Sequence, residues 1–186
     1  MIQIRKNVFE TNSSSTHSLV ISKKERSYDY SLPVDDDGTL TVTFGEFGWG
    51  PELLTAPIEK LSYLVTDRCG LYDIPEELKN ADDDAIYDFI MEESESIRDI
   101  VEVIKSCCPD VKEVRFELGD HWNPFGYVDH QSQGTSYGVD LSIEDLIFSN
   151  KVVIMVDNDN SCYYEEYFTD WQGNPPTKDI EDIFNG

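Results

Sequence analysis

The sequence predicts an α+β fold: a mixed or mostly antiparallel sheet covered by two main helices. Three observations lead there. "TLTVTF" at 39–44 and "KEVRFELG" at 112–119 alternate apolar and polar residues with the period of a half-buried strand. "KVVIMVD" at 151–157 is a continuous apolar run of strand length, as a central strand requires. Ile86, Phe89, Ile90, Ile97, Ile100, Val101 and Ile104 recur at helical spacing.

In chain order, Ile2, Ile4 and Val8 alternate like a short strand, and "SLVIS" at 18–22 predicts a second. "YSLPVDDDG" at 30–38 is a turn, with Pro33 and Gly38, ahead of the strand at 39–44. "GEFGWGPE" at 45–52 is glycine-rich and carries two large rings, Phe47 and Trp49. Thr55 is placed to cap a helix with Pro57 in its first turn, whose apolar face is Ile58, Leu61, Leu64 and Val65. A turn with Gly70 and Pro75 follows. Asp82, Asp83 and Asp84 open the longest helix, where negative charge suits the positive helix end, and Pro109 helps to close it. Residues 119–140 read as irregular. "SIEDLIFS" at 142–149 predicts a short helix with Ser142 as cap. "CYYEEYF" at 162–168 is expected beside the central strand, and 178–184 as a last helical turn. There are no internal repeats, and residues 1–186 read as a single acidic domain with a basic segment at 1–30.

That charge asymmetry bounds the partners. The formal net charge is −24 on 186 residues, while 39% hydrophobic and 12% aromatic content argues for a folded core rather than acidic disorder. Arg5, Lys6, Lys23, Lys24 and Arg26 face only Glu10, Glu25 and Asp29 within the first 30 residues, a local charge of +2, so the rest carries −26. Such a body avoids free nucleic acid and anionic membranes and suits a basic partner. Cys69, Cys107, Cys108 and Cys162 show no C-x-x-C spacing, which argues against zinc and for reduced thiols. No signal-type apolar segment or membrane-length run is present, so a cytoplasmic protein is expected.

Two polar loops hold the candidate chemistry. Thr11, Asn12, Ser13, Ser14, Ser15, Thr16, His17 and Ser18 form a hydroxyl-rich run inside the basic segment. Asp129, His130, Gln131 and Ser132 place an acid, an imidazole, an amide and a hydroxyl together in the long loop, which also carries His121. Two histidines can share acid–base work, one taking and one giving a proton, and so cleave RNA without a metal through the ribose 2′-hydroxyl. On this reading His17 and His130 are catalytic, with Ser15 and Asp129 beside them. Asn12, Ser13, Ser14, Lys6, Lys23, Arg26, Gln131 and Ser132 would then hold the phosphate and the nucleic acid. The alternative is that such loops only satisfy their own backbone. A serine triad is disfavoured because no G-x-S-x-G elbow exists. Asp157, Asp159 and Ser161 begin like an EF-hand, but Cys162 and Phe168 stand where glycine and the bidentate glutamate are needed. A looser metal site that joins these aspartates to Asp129 or His130 stays open beside the reading as a polar turn at a strand end; no cofactor is implied, and there is no P-loop.

"NVFETNSSSTHSLVI" resembles the opening of a family of phage and mobile-element proteins, and "FGEFGWGPE", "EKLSYLVTDRC", "GYVDHQS" and "VDNDN" resemble its later signatures. The chain is also similar in size and acidity to some type II-A anti-CRISPR proteins. Some of those block Cas9 by imitating DNA, and at least one kind truncates the guide RNA. The resemblance therefore implies an anti-defence protein that docks on a basic Cas9–guide RNA complex and meets RNA only when that RNA is partner-bound. Two modes follow. In one, the two histidines cut the guide. In the other, Asp82, Asp83, Asp84, Glu92 and Glu93 form a partner-binding surface that imitates phosphates and occupies a DNA-binding cleft without chemistry.

Overall fold

The computed structural model describes residues 2–6, 18–69, 82–119, 124–128, 141–156, 166–167 and 175–184, with the backbone alone at 2–6, 18–19 and 83. The fold is α+β. Its largest sheet has four strands, all paired antiparallel. Strand β1 (Ile2–Lys6) forms a hairpin with β2 (Ser18–Lys23), and β2 pairs with β8 (Val152–Val156). On its other side β8 pairs with β5 (Glu52–Leu54), so the order is β1-β2-β8-β5.

All five residues of β8 are buried, which explains why its sequence does not alternate. Val152, Ile154 and Val156 enter the main core with Val20 and Leu54. Val153 and Met155 face the opposite way, where Ile21, Tyr167 and Ile183 cover them with Ile180 and Phe184 packed alongside. Both flanks of β8 are taken by β2 and β5; of the segment expected beside it at 162–168, only Glu166 and Tyr167 lie among the described residues, and neither is paired with it. Glu166 and Tyr167 are helical, and Tyr167 packs on the second face of the sheet instead.

Two further pairs of strands are parallel. Strand β3 (Thr39–Thr43) pairs with β6 (Glu113–Glu117), and β4 (Glu46–Phe47) pairs with β7 (Tyr127–Val128). The expected turn before β3 is built by Asp35, whose Oδ1 accepts from the amides of Asp37 at 3.0 Å and Thr39 at 2.7 Å.

Helix α1 (Pro57–Cys69) buries Leu61, Leu64 and Val65 as its spacing predicts. Its cap differs from expectation. Pro57 is the first helical residue, so Thr55 lies outside the cap position. Glu59 reaches back to accept from the amides of Thr55 and Ala56, both at 3.1 Å.

The single long helix expected at 82–108 is two helices, α2 (Asp83–Glu93) and α3 (Glu95–Cys107). Ser94 adopts an extended conformation between them, and its side chain accepts from the Ile97 amide at 3.3 Å as the cap of α3. The apolar stripe passes through this break in phase, since Ile90 and Ile97 are both buried. Helix α4 (Ile143–Phe148) has the predicted Ser142 cap, completed into a capping box by Asp145. A 3₁₀ turn at Ile180–Phe184 fits the expected last turn. Among the described residues no helix is long and apolar enough to cross a membrane.

Candidate functional site

Burial of Ile86 and Ile90 on α2 turns Asp84, Asp88 and Glu92 outward. These three acids are spaced four residues apart, about 6 Å per step along one helix face. On α3, burial of Ile97, Ile100, Val101 and Ile104 likewise leaves Glu95, Asp99 and Glu102 exposed. Among the described residues none of these six carboxylates has an ion-pair partner. Arg98 lies close by but is used otherwise. Its Nη1 donates to the carbonyls of Met91 at 2.5 Å and Glu92 at 3.1 Å, closing the end of α2.

Of the five predicted partner-binding acids, Asp82 caps α2 by accepting from the Ala85 amide at 3.0 Å. Asp83 begins the helix, Asp84 is exposed, and Glu92 and Glu93 lie exposed in its last turn. An acid in the last turn opposes the negative helix end by roughly 0.3–1 kcal/mol at low salt.

The cations of the N-terminal segment are arranged differently. Lys6 ends β1 opposite Leu19. Lys23 Nζ contacts Glu181 Oε2 at 2.5 Å and sits 4.4 Å from the Phe184 ring centre. Arg26 Nε donates to Asp145 Oδ1 at 3.1 Å, and the Tyr28 hydroxyl donates to the same oxygen at 2.9 Å. Tyr30 donates to Glu144 Oε1 at 2.6 Å, which pushes its hydroxyl up to about 12. Lys23 and Arg26, two predicted nucleic-acid contacts, thus join the N-terminal segment to the 3₁₀ turn and to α4.

His17, His130, Ser15, Asp129, Asn12, Ser13, Ser14, Gln131 and Ser132 lie outside the described residues, as do His121, Asp157 and Asp159. The framework from which their segments depart is described. Ser18 pairs with Val156, and Val156 pairs on its other side with Glu52, so the three form one rung about 10 Å across. The chain enters that rung from His17 and leaves it toward Asp157. Val128 pairs with Phe47, and the chain leaves Val128 into Asp129 and His130.

Gly126 holds this second root in place. Its φ is +67°, and a Cβ there would come within 2.1 Å of the Gly45 carbonyl oxygen, which the Tyr127 amide meets at 2.9 Å. Glu52 and Phe47 both line one open cleft of about 510 Å³. Among the described residues, β2 and β7, the strands from which the histidine-bearing segments depart, contribute none of the lining of that cleft; β2 is separated from it by β8 and β5, and β7 by β4.

Burial pushes the Cys69 thiol up to about 12 and raises those of Cys107 and Cys108, so these thiols are held protonated rather than nucleophilic. Among the described residues no three His, Cys, Asp or Glu side chains gather as metal ligands would. Sequence reasoning missed Asp88, Asp99 and Glu102, although the four-residue spacing from Asp84 through Asp88 to Glu92 was visible. It also missed Glu52, for which no signal existed, because its position depends on the rung with Val156. No family model, curated protein or solved structure matches the chain.

Proposed function

We propose that the chain is an anti-defence protein of the phage and mobile-element kind, acting in the host cytoplasm by docking on a basic nucleoprotein. A Cas9–guide RNA complex is the candidate partner. The observation that carries this reading is the row of exposed carboxylates on α2 and α3, Asp84, Asp88, Glu92, Glu95, Asp99 and Glu102, none of which has an ion-pair partner among the described residues. Asp84, Asp88 and Glu92 repeat at about 6 Å, against one phosphate per 3.4 Å of axis on a DNA strand, so the helix offers roughly half that charge density. It offers it on a rigid element, which suits a channel built to hold a phosphate backbone. Glu92 opposes its own helix dipole, and a basic partner would turn that local penalty into attraction. The phage setting comes from the resemblance of the opening motif.

A second reading, in which the docked protein cuts the guide RNA, follows from the sequence. His17 with Ser15 and His130 with Asp129 offer two imidazoles for shared acid–base work on the ribose 2′-hydroxyl. On this reading the excess negative charge repels free RNA, so cutting depends on the partner. Lys23 and Arg26 add little to phosphate binding there, because each already meets an acid.

The test combines affinity and integrity. The triple variant Asp84→Asn, Asp88→Asn, Glu92→Gln should bind Cas9–guide RNA about tenfold to a hundredfold more weakly at low salt, with a flatter salt dependence. Unchanged affinity in that variant ends the docking reading. End-labelled guide should be shortened only in the Cas9-bound form, and His17→Ala or His130→Ala should abolish the shortening without changing affinity. A guide left intact by the wild-type protein reduces the function to docking alone.

A further inference from the structure

The cleft that holds Glu52 and Phe47 lies between β5, β3 and the start of α1. Leu54, Ile58 and Phe47 supply apolar walls, Thr41 stands exposed at the side, and Glu52 and Glu59 supply two carboxylates. Glu59 uses Oε2 to accept two amides at the helix start. The Glu52 side chain is half-buried, and among the described residues no cation or hydrogen-bond donor meets it. Its carboxyl is raised above the usual range, first by burial and then by the charge of Glu59. A carboxylate drawn partly out of water beside another carboxylate is unfavourable unless a cation completes the site.

We infer that this cleft is a receptor for an arginine side chain carried by a protein partner, its methylene stem lying on Ile58 and Phe47 and its guanidinium meeting Glu52 and Glu59. A planar fork of five donors fits two carboxylates and neighbouring threonine hydroxyls better than a single ammonium does. Arginine within a peptide fits better than the free amino acid, whose own carboxylate a chain of net charge −24 repels. The arginine site takes its partner's basic character from the docking reading above but lies apart from the acids of α2 and α3. It predicts one buried anchor inside a broad electrostatic contact.

The site can be tested on the full chain without the partner. Methyl resonances are followed by NMR during titration with the blocked tripeptide acetyl-Gly-Arg-Gly-amide, with lysine and norleucine versions as comparators. The arginine peptide should shift Leu54 and Ile58 and saturate in roughly the millimolar range. Glu52→Gln should weaken it at least about fivefold, as loss of a charge-assisted bond requires. Thr41→Lys, which tethers an ammonium at the cleft wall, should block it. Equal shifts from norleucine or lysine, an unchanged midpoint in Glu52→Gln, or shifts confined to α2 and α3 would overturn the assignment. The two proposals fail separately: peptide binding here with no binding to Cas9–guide RNA removes the docking reading and keeps the site, and the reverse removes only the site.

Discussion

Lys23 and Arg26 each meet an acid from a distant part of the chain, Glu181 and Asp145, whereas Asp84, Asp88 and Glu92 meet none among the described residues. With 38 acids against 14 lysines and arginines, cations are the scarce partner. The N-terminal segment uses them at joints between elements far apart in sequence, where one pair fixes two segments. The acids left over are carried on helices whose inner faces are held by packing, so those helices tolerate an unpaired outer face. The difference teaches that sign alone does not identify a binding surface. By charge alone the +2 segment is the natural seat for phosphate, yet these two of its cations are already engaged. The surplus acids are free to act outward.

The largest effect is expected where a cation is fully internal. Lys60 of α1 is buried, and its Nζ donates to the carbonyls of Ser149 at 2.9 Å and Val152 at 3.2 Å, tying α1 to the turn between α4 and β8. Lys60→Ala removes two buried hydrogen bonds, of which the Ser149 carbonyl keeps a second donor in the Val152 amide, and leaves a cavity; it should lower stability by about 3 kcal/mol, a fall in Tm on the order of 6–12 °C. Burial lowers the Lys60 ammonium to about 8 from the ordinary 10.5, with Asp29 and Glu59 pulling part of the way back. The unfolded chain then holds more protons between those two values. The contribution of Lys60 to stability should therefore rise with pH across that window and be least below it. Urea midpoints of wild type and Lys60→Met, compared from about pH 7 to 10.5, isolate this group, because other lysines and tyrosines titrate in both proteins. A difference that stays flat with pH would show that the ammonium is not buried.

A smaller loss is expected at the half-buried joint. Asp145 accepts from Arg26, from Tyr28 and, through its other oxygen, from the Ser142 amide within the capping box of α4. Asp145→Asn should cost about 1–2 kcal/mol, and a double-mutant cycle with Arg26→Leu should recover a coupling of about 0.5–1 kcal/mol. The Lys23–Glu181 pair, with half of the Glu181 side chain exposed, should give a coupling of at most about 0.5 kcal/mol. Equal couplings at the two joints would remove the distinction between a structural pair and a surface pair.

What the sequence made legible follows the same division between strong local pattern and distant pairing. Strands β3 and β6 were readable because Thr39–Thr43 and Glu113–Glu117 alternate, β8 because Val152–Val156 is apolar throughout, and α4 because Ser142 stands three residues before Asp145. The break at Ser94 was hidden because a seven-residue interval separates Ile90 from Ile97, which keeps a helical stripe in phase whether or not the helix is interrupted. Strands β4, β5 and β7 have only two or three residues, too few to display a period. The joints at Arg26 and Lys23 join positions more than a hundred residues apart, and nothing local marks them. Of the site, the acidic helix was legible in part, whereas the cleft around Glu52 arises only when β5 is laid against Val156.

The smallest expected effect on stability belongs to the acids themselves, and its sign separates the two regions most sharply. Asp84 and Asp88, and Asp88 and Glu92, are like-charged pairs at helical contact distance, each worth roughly 0.2–0.5 kcal/mol of repulsion at low salt. The triple variant that should weaken docking ought therefore to fold slightly more stably, by about 0.5 kcal/mol. Salt should erase the gain, because screening acts over about 8 Å at physiological ionic strength and over about 3 Å at 1 M. Urea midpoints of both proteins measured from low to high salt should converge from below, the wild type gaining more. At Lys23 and Glu181 the order inverts: salt weakens an attraction, and removing the pair should never stabilise. If the triple variant is instead less stable than wild type at every salt concentration, the acids of α2 are bound into the fold like the cations of the N-terminal segment. In that case the outward role assigned to them is lost.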